Sequence, residues 1–329
     1  MPLTDIPNLR DIYTARKAID PYIRRTPLER SGKISRALDA DVFLKFENLQ
    51  VSGSFKIRGA LNKVLHLSDE QRRKGLITVS SGNHGRAVAT IAKRMGLHAT
   101  ICLASSVPAN KIQTIEELGA DVIIGGDTYD EVAEHAAGLT EEQGLTMIHP
   151  FDDPEVIAGQ GTVGLEIIEE LPEVDCIIVP LSGGGLLSGI ALAMKAVRPA
   201  IRLYGVSMER GAAMIESLRH GRIVRVKEGP TLADALAGGL GLENHYTFRI
   251  LQAHLDGTVQ VTEEEIASAM KFALEDLHMA LEGAAAVSIA ALMHEKLPDP
   301  GQTIVAVLSG GNVSLPTLLR AVGYGEAAP

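Results

Sequence analysis

Apolar residues recur at helical spacing near the start of the chain. Within residues 11–23 they fall at Ile12, Ala15, Ile19 and Ile23, the three- and four-residue spacing of an amphipathic helix. Pro27 interrupts this pattern, and the mostly apolar run 42–46 that follows is typical of a strand. The sequence therefore predicts a peripheral first helix before the first strand.

From residue 76 onward, short apolar runs alternate with longer segments of helical spacing. The first batch predicts strands over 76–80, 99–103, 122–124 and 146–148, with helices that start at Asn83, Pro108 and Asp127. The second batch predicts a helix that ends at Leu171, strands over 176–179, 201–206 and 303–308, a helix over 186–197 and a last helix from Ser314.

Two batches of alternating elements predict an α/β fold with two doubly wound open sheets. We expect residues 53–148 to form a small domain, and residues 1–52 and 149–329 to form a large one. Ligands of such sheets bind beyond the carboxyl ends of the strands. Functional motifs should therefore lie where strands end, in a cleft that both domains share.

Composition and charge exclude several kinds of partner. A net charge of −10, with 4% aromatic residues and no Trp, offers little to neutralise phosphates or to stack on bases, so we expect no nucleic acid partner. The first residues lack a signal-peptide pattern, and no apolar run reaches the roughly 18 residues of a membrane span. We therefore expect a cytoplasmic protein with no membrane partner. Cys102 and Cys176 lie in apolar runs and are expected to be buried thiols.

Lys56 is the first candidate for chemistry. It lies in the octapeptide 53–60, Gly-Ser-Phe-Lys-Ile-Arg-Gly-Ala, and is followed by the apolar helical face Ile57, Ala60, Leu61 and Val64. An amine in partly desolvated surroundings loses its proton more easily and can capture a carbonyl group. By itself the octapeptide fits better a lysine whose stem packs on the core, and two later motifs favour the reactive amine.

The first of these motifs, Ser-Ser-Gly-Asn-His-Gly at 80–85, lies between a predicted strand and a predicted helix. Free N–H groups at the start of a helix bind an anion such as a substrate carboxylate. Ser80, Ser81 and Asn83 can add hydrogen bonds that orient it. The alternative is a simple helix N-cap with a glycine turn.

The second motif, Ser-Gly-Gly-Gly-Leu at 182–186, also follows a predicted strand. Its glycines allow backbone N–H groups to approach a phosphate closely. Because no Gly-Lys-Ser/Thr ending follows, one small phosphate suits it better than a nucleotide. A tight turn is the alternative. After the last strand, Ser309 could reach a ring nitrogen at the cleft floor, or form only a Ser-Gly turn.

Other chemical motifs do not fit. Residues 159–164 spell the dinucleotide fingerprint but fall inside a predicted helix, so we interpret their glycines as close-packing positions. The pair His294-Glu295 lacks the second histidine of a zinc protease, and the chain has no Gly-x-Ser-x-Gly elbow. What remains is an amine, a carboxylate socket and a phosphate cradle. Together they can hold a phosphorylated aldehyde as a Schiff base and present an amino acid to it.

The motifs SFKIRGA, SSGNHG, SGGGL, EGAAA at 282–286 and LSGGN occur in this order over nearly the whole chain. In this combination they resemble the fold-type II pyridoxal-phosphate enzymes, in particular the threonine/serine dehydratase and serine racemase branch. The resemblance implies a tryptophan-synthase-β-like fold, with pyridoxal 5′-phosphate in the cleft between the two sheets, bound mainly by the large domain. It also implies an amino acid as substrate.

The resemblance further implies a role for each motif. Lys56 would hold the cofactor as a Schiff base and, once displaced by substrate, remove the Cα proton; the β-hydroxyl then leaves, and a 2-keto acid and ammonia result. Ser81 would stand on the opposite face, where racemases of this branch have their second acid/base. The implied cofactor contacts are Phe55 to the ring face, Asn83 to the ring hydroxyl, Ser309 to the pyridine nitrogen, and Ser182, Gly183, Gly184, Gly185 and Leu186 to the phosphate. The implied substrate contacts are Ser80, Ser81, Gly82, Asn83 and His84.

Two departures narrow what is expected. Ser207 stands where relatives with a divalent-cation site carry a glutamate, so no metal is predicted. Residues 208–214 and 231–244 look like those of the hydroxyectoine-utilisation dehydratases, and Ala235 replaces a glycine common in threonine dehydratases. The substrate is therefore expected to be threonine, serine or a hydroxyectoine-derived amino acid.

Two other functions stay open. The same cleft, with Ser81, would serve an amino-acid racemase, and a chain that kept the fold without the chemistry would serve as a small-molecule sensor. Because only a short tail follows the last predicted helix, we expect no regulatory domain of the kind that biosynthetic relatives carry. We expect a homodimer.

Overall fold

The computed structural model describes residues 6–105, 107, 109–127, 129–241 and 244–324. The first part of the chain forms α1 (Leu9–Ile19), β1 (Leu28–Arg30), α2 (Gly32–Leu38), β2 (Asp41–Lys45), α3 (Lys56–His66), α4 (Asp69–Lys74), β3 (Leu76–Val79), α5 (Asn83–Met95), β4 (Ala99–Ala104), α6 (Ala109–Glu117), β5 (Asp121–Gly126), α7 (Tyr129–Gln143) and β6 (Thr146–Met147). The second part forms α8 (Pro154–Glu170), β7 (Cys176–Pro180), α9 (Gly185–Val197), β8 (Arg202–Met208), α10 (Ala213–His220), α11 (Thr247–His254), β9 (Gly257–Val261), α12 (Glu263–Asp276), α13 (Gly283–Met293), β10 (Thr303–Val307) and α14 (Leu315–Ala321). Two 3-10 helices span Glu47–Leu49 and Asp234–Leu236.

The strands form two sheets. The larger has the order β1-β2-β10-β7-β8-β9, in which β1 pairs antiparallel with β2 and the other neighbours pair in parallel. The smaller has the order β5-β4-β3-β6, and all its pairs are parallel. Parallel pairing brings the carboxyl ends of β2, β10 and β7 to one edge of the larger sheet.

Each sheet is covered on both faces. In β7, which is buried throughout, Cys176 and Ile178 pack with α12 and α13, whereas Ile177 and Val179 pack with α8 and α9. In the smaller sheet, one face packs on α3 and α5 and the other on α7. Burial on both faces explains why inner strands such as β7 read as unbroken apolar runs.

Most predicted elements coincide with observed ones, and the differences have local causes. The first helix was predicted over 11–23 but begins at Leu9, because the side chains of Asn8 and Asp11 form a capping box there. The strand β1 went unpredicted, since its three residues are mostly exposed and carry no apolar run. The predicted helix start at Pro108 and residues 242–243 lie outside the described residues.

The glycines at 159–164 serve close packing, as predicted. They lie inside α8, where a Cβ on Gly159 would come within 2.6 Å of the Arg58 carbonyl oxygen. A Cβ on Gly161 would lie 2.9 Å from the Gly189 carbonyl oxygen in α9. The prediction for the cysteines is also confirmed, because Cys102 and Cys176 are buried and free.

A buried ionic cluster next to α3 joins this helix to the end of β2 and to α8. The Arg58 guanidinium pairs with Glu47 at 2.8 Å and with Glu166 at 2.6 Å, and Lys45 pairs with Glu166 at 2.6 Å. These contacts tie α3 to the end of β2 and to α8, which fixes the helix that begins at Lys56. Within the described ranges, no helix has the length and apolar character needed to cross a membrane.

Candidate functional site

The turn that precedes α3 is held directly on the end of β10. Ser54 forms an antiparallel bridge with Gly310, and the Phe55 N–H donates to the Ser309 carbonyl at 3.1 Å. Gly53 has a φ of +75° and accepts a hydrogen bond from the Gly311 N–H at 2.9 Å. This pairing brings Phe55 and Lys56 next to Ser309, as the sequence interpretation requires.

Lys56 is the first residue of α3, and its side chain is partly buried. Its Nζ donates to the Pro150 carbonyl at 2.7 Å and lies 5.2 Å from the centre of the Phe55 ring. Burial lowers the pKa of this amine from 10.5 to about 8, against the opposing charge of Glu282. More of the amine is therefore uncharged near neutral pH than in an ordinary lysine, and a carbonyl-capturing group needs the uncharged form.

The glycine loop after β7 is shaped for close backbone approach. Gly184 is the N-cap of α9 and has a φ of +87°, which favours glycine. A Cβ on Gly183 would overlap the Phe151 ring, and a Cβ on Gly184 would lie 2.7 Å from Leu251 Cδ1. Ser182 is partly buried, and the loop leads into the N-terminus of α9. The free N–H groups there can bind a phosphate.

The loop after β3 leads into a second helix N-terminus. Gly82 is the N-cap of α5, and its N–H donates to Ser80 Oγ at 3.3 Å. Ser80, Ser81 and Gly82 are partly exposed, so their polar groups can meet a ligand. These three residues lie where a substrate carboxylate was predicted to bind.

The Asn83 amide is held on both sides by other side chains. Its Nδ2 donates to Glu282 at 2.7 Å, and its Oδ1 accepts from Asn312 Nδ2 at 2.6 Å. Asn312 Nδ2 also donates to the Ser52 carbonyl at 2.9 Å. These bonds fix the orientation of the Asn83 amide and leave its second Nδ2 hydrogen for a ligand. Burial raises the pKa of Glu282 to about 7.

Two histidines near Lys56 are held neutral. His84 is buried and its Nε2 lies 2.8 Å from the Ile148 carbonyl. Because a carbonyl only accepts, Nε2 carries the proton, and Nδ1 is the ring atom left for a ligand. His149 Nδ1 accepts from the Phe151 and Asp152 N–H groups. Burial lowers the pKa of His84 to about 3 and that of His149 to about 4.

Residues of this site to which the sequence analysis gave no role include Pro150, Phe151 and Glu282. Pro150 and Phe151 follow β6, so the rule that functional residues lie at strand ends would have included them. Glu282 belongs to the EGAAA motif, to which no role was given.

The apolar face that follows Lys56 in α3 is buried, as predicted. Ser207 is also buried, and its hydroxyl lies 3.2 Å from Met208 Sδ. Within the residues described, no cluster of three or more His, Cys, Asp or Glu side chains could hold a metal ion.

Comparison with known proteins agrees with the fold. Residues 19–310 match the family described as "Pyridoxal-phosphate dependent enzyme". The chain is 47% identical over 308 residues to the putative threonine dehydratase of Sinorhizobium fredii, covering 94% of this chain and 93% of the relative. It is 43% identical over 317 residues to the L-threonine ammonia-lyase of Thermotoga maritima, covering 96% and 78%. The solved structure of maize serine racemase superposes with a TM-score of 0.90 at 37% identity, covering 96% of this chain and 97% of the other. The predicted α/β fold of type II is confirmed.

The residues at the strand ends fit the cofactor that this family uses. Lys56 offers an amine with a lowered pKa. The glycine loop leads into the N-terminus of α9, whose free N–H groups can bind a phosphate, and it has no room for a Cβ on Gly183 or Gly184. Phe55 lies beside the amine and packs against the cluster that contains Leu186. The cofactor is therefore pyridoxal 5′-phosphate.

Proposed function

Because the chain belongs to the family of pyridoxal-phosphate-dependent enzymes and is a lyase of that family, we propose that it is a dehydratase of 3-hydroxy amino acids. Its products would be a 2-keto acid and ammonia. The observation that carries the proposal is the amine of Lys56, which has a pKa of about 8 and begins a helix beside Ser309. The relatives named as threonine dehydratase and threonine ammonia-lyase support the reaction type.

In this proposal each residue either binds the cofactor or the substrate, or moves a proton. When bound, the cofactor supplies an aldehyde that captures amines and a ring that withdraws electrons from the substrate Cα. Lys56 Nζ takes the Cα proton, and its lowered pKa suits a base that works near neutral pH. Ser81 supplies a hydroxyl on the opposite side of the substrate.

The remaining residues hold the two reactants. Ser182, Gly183, Gly184, Gly185 and Leu186 bind the phosphate, Phe55 packs on the ring, Asn83 donates to the ring hydroxyl, and Ser309 meets the pyridine nitrogen. Ser80, Ser81, Gly82, Asn83 and His84 bind the substrate carboxylate. An uncharged serine at the ring nitrogen leaves that nitrogen unprotonated. This weakens electron withdrawal and favours elimination over chemistry that needs a long-lived carbanion.

The substrate in this proposal is threonine or serine, with a hydroxyectoine-derived amino acid as the alternative. The alternative rests on the sequence resemblance of residues 231–244. Part of this segment borders the site: Asp234 pairs with Lys111 of α6 at 2.9 Å, and a Cβ on Gly283, next to Glu282, would overlap the Leu232 carbonyl. Changes in this segment can therefore alter which side chain the cleft accepts.

Racemisation is the second candidate, because the maize serine racemase structure covers nearly the whole chain.

We also propose a homodimer in a reducing cytoplasm, where the two buried free cysteines would persist. The division into a small domain, 53–148, and a large one, 1–52 and 149–329, is supported by the sheets, because β3 to β6 all fall in the small segment.

The test is to incubate the purified protein with L-threonine, L-serine and a hydroxyectoine-derived amino acid. Keto-acid release and the D-isomer are measured in the same sample, with Lys56→Ala as the control. We expect keto acid as the main product from at least one substrate. If the D-isomer were the dominant product, the proposed function would be racemisation instead of dehydration. Borohydride reduction followed by peptide mapping should find the cofactor on Lys56, and light scattering measures the oligomer.

A further inference from the structure

The segment His149 to Asp152 lies between Lys56 and the glycine loop. The Pro150 carbonyl accepts from Lys56 Nζ at 2.7 Å. The next residue, Phe151, covers Gly183 with its ring, and its carbonyl oxygen lies 2.9 Å from the position of a Cβ on Gly185. One short stretch thus contacts both the amine and the glycine loop.

Asp152, the next residue, holds a different element. Its side chain is buried, and it accepts hydrogen bonds from the His245, Tyr246 and Thr247 N–H groups at 2.6, 3.0 and 2.8 Å. These N–H groups are at the start of α11, whose own N-cap residue, Tyr246, makes no capping bond with its side chain. A carboxylate 93 to 95 residues earlier in the chain therefore caps α11.

Helix α11 forms the other wall of the glycine loop. A Cβ on Gly184 would meet Leu251 Cδ1 at 2.7 Å and Thr247 Cβ at 3.3 Å, and both residues belong to α11. The loop therefore fits between Phe151 on one side and α11 on the other. Asp152 joins these two walls, because its backbone continues from Phe151 and its carboxylate holds the first turn of α11.

We propose that Asp152 is a positioning residue that sets the width of the phosphate socket and keeps the socket at a fixed distance from Lys56. The inference rests on the proposed roles of Lys56 and residues 182–186 in binding the cofactor. It adds that the strength of phosphate binding depends on a carboxylate that does not touch the phosphate.

Asp153 provides a matched control. It is the neighbouring residue and also caps a helix, because its Oδ1 accepts from the Glu155 and Val156 N–H groups at 2.9 and 3.1 Å at the start of α8. Its carboxylate also forms an ion pair with Lys63 at 2.8 Å. Loss of either carboxylate removes a helix cap, but loss of Asp152 also releases a wall of the phosphate socket.

The experiment compares Asp152→Ala, Asp152→Asn and Asp153→Ala with the unaltered full-length protein. The release rate of pyridoxal 5′-phosphate is measured from each holoenzyme. The cofactor-free proteins are also titrated with pyridoxal 5′-phosphate and with pyridoxal, which lacks the phosphate. We expect Asp152→Ala to release the cofactor about tenfold faster or more. Its affinity for pyridoxal should change by no more than about twofold.

The release rate of Asp152→Asn should fall between those of the unaltered protein and Asp152→Ala. Its one acceptor oxygen can still accept from the Tyr246 and Thr247 N–H groups, but its side-chain NH2 group would face the His245 N–H, which is also a donor. This variant also tests the proposal if the alanine protein does not fold. Equal release from the Asp152 and Asp153 variants, or equal weakening of the two ligands, would overturn the positioning role. If the unaltered protein carried no cofactor on Lys56, the proposed function itself would fail, which is a separate result.

Discussion

The uncharged fraction of Lys56 can be measured without turnover. With a pKa of about 8 instead of 10.5, roughly one-tenth of the amine is neutral at pH 7, against about one part in 3,000 for an ordinary lysine. The neutral amine is thus enriched about 300-fold, and burial is the cause. Glu282 acts in the opposite direction, since its negative charge favours the ammonium form.

The assay labels the cofactor-free protein briefly with an acylating reagent over a pH series and quantifies each lysine-containing peptide by mass spectrometry. Labelling of Lys56 should rise with pH to a midpoint of about 8. In Glu282→Gln, which can still accept from Asn83, the midpoint should move lower because the stabilising negative charge is gone. The exposed Lys33 is an internal reference for the reagent.

Glu155→Gln is the matched control for this change. Glu155 pairs with Lys63 at 3.1 Å and contributes to the raised pKa of that lysine. Its replacement should therefore lower the labelling midpoint of Lys63 and leave that of Lys56 in place. A Lys56 midpoint near 10.5 in the unaltered protein, or no downward movement in Glu282→Gln, would refute the claim that burial and Glu282 set this pKa.

Three further substitutions and one control, Gly96→Ala, test other parts of the structure. Lys56→Ala should lower keto-acid formation by roughly a hundredfold to ten-thousandfold and abolish the borohydride-stable adduct. Gly184→Ala forces a Cβ to 2.7 Å from Leu251 at a φ of +87° and should weaken cofactor binding in a titration. In contrast, Gly96 has a φ of +65° and open space around it. Gly96→Ala should therefore lower the free energy of unfolding by about 1 kcal/mol and leave the affinity for the cofactor unchanged. Arg58→Met leaves Glu47 and Glu166 without their arginine partner, and should lower the free energy of unfolding in urea by about 3–5 kcal/mol.

The strand-end motifs could be located from sequence because each is local. A buried strand, a glycine turn and a helix start follow one another within about ten residues at both 76–85 and 176–186. Within the larger sheet, parallel pairing then brings the turns after β7 and β10 to one edge. This explains why the sequence alone assigns Lys56, the glycine loop and Ser309 to one cleft.

The residues that the sequence did not reveal act across long separations. Glu282 bonds Asn83 across 199 positions, and Asp152 caps a helix that begins 95 positions later. Such partners are set by the sheet order and leave no local signal.

The helix α13 was missed for another reason. Gly283 to Leu292 are all buried, so its sequence lacks the polar face that makes helical spacing visible. By contrast, α12, which was also not predicted, starts with a capping box at Thr262 and Glu265, and this is a local signal that the sequence does carry.

Two titratable groups near the proposed chemistry, Glu282 and Lys56, affect each other. Glu282 has a pKa of about 7, and its negative charge supports the ammonium form of Lys56. As the pH falls through 7, Glu282 gains a proton and stops supporting that charge, so the pKa of Lys56 also falls. The neutral fraction of Lys56 should then decrease less steeply below pH 7 than a single titration would give. In the labelling assay, the unaltered protein should show this shallow region and Glu282→Gln should not. A single steep titration in both proteins would mean that the two groups are independent.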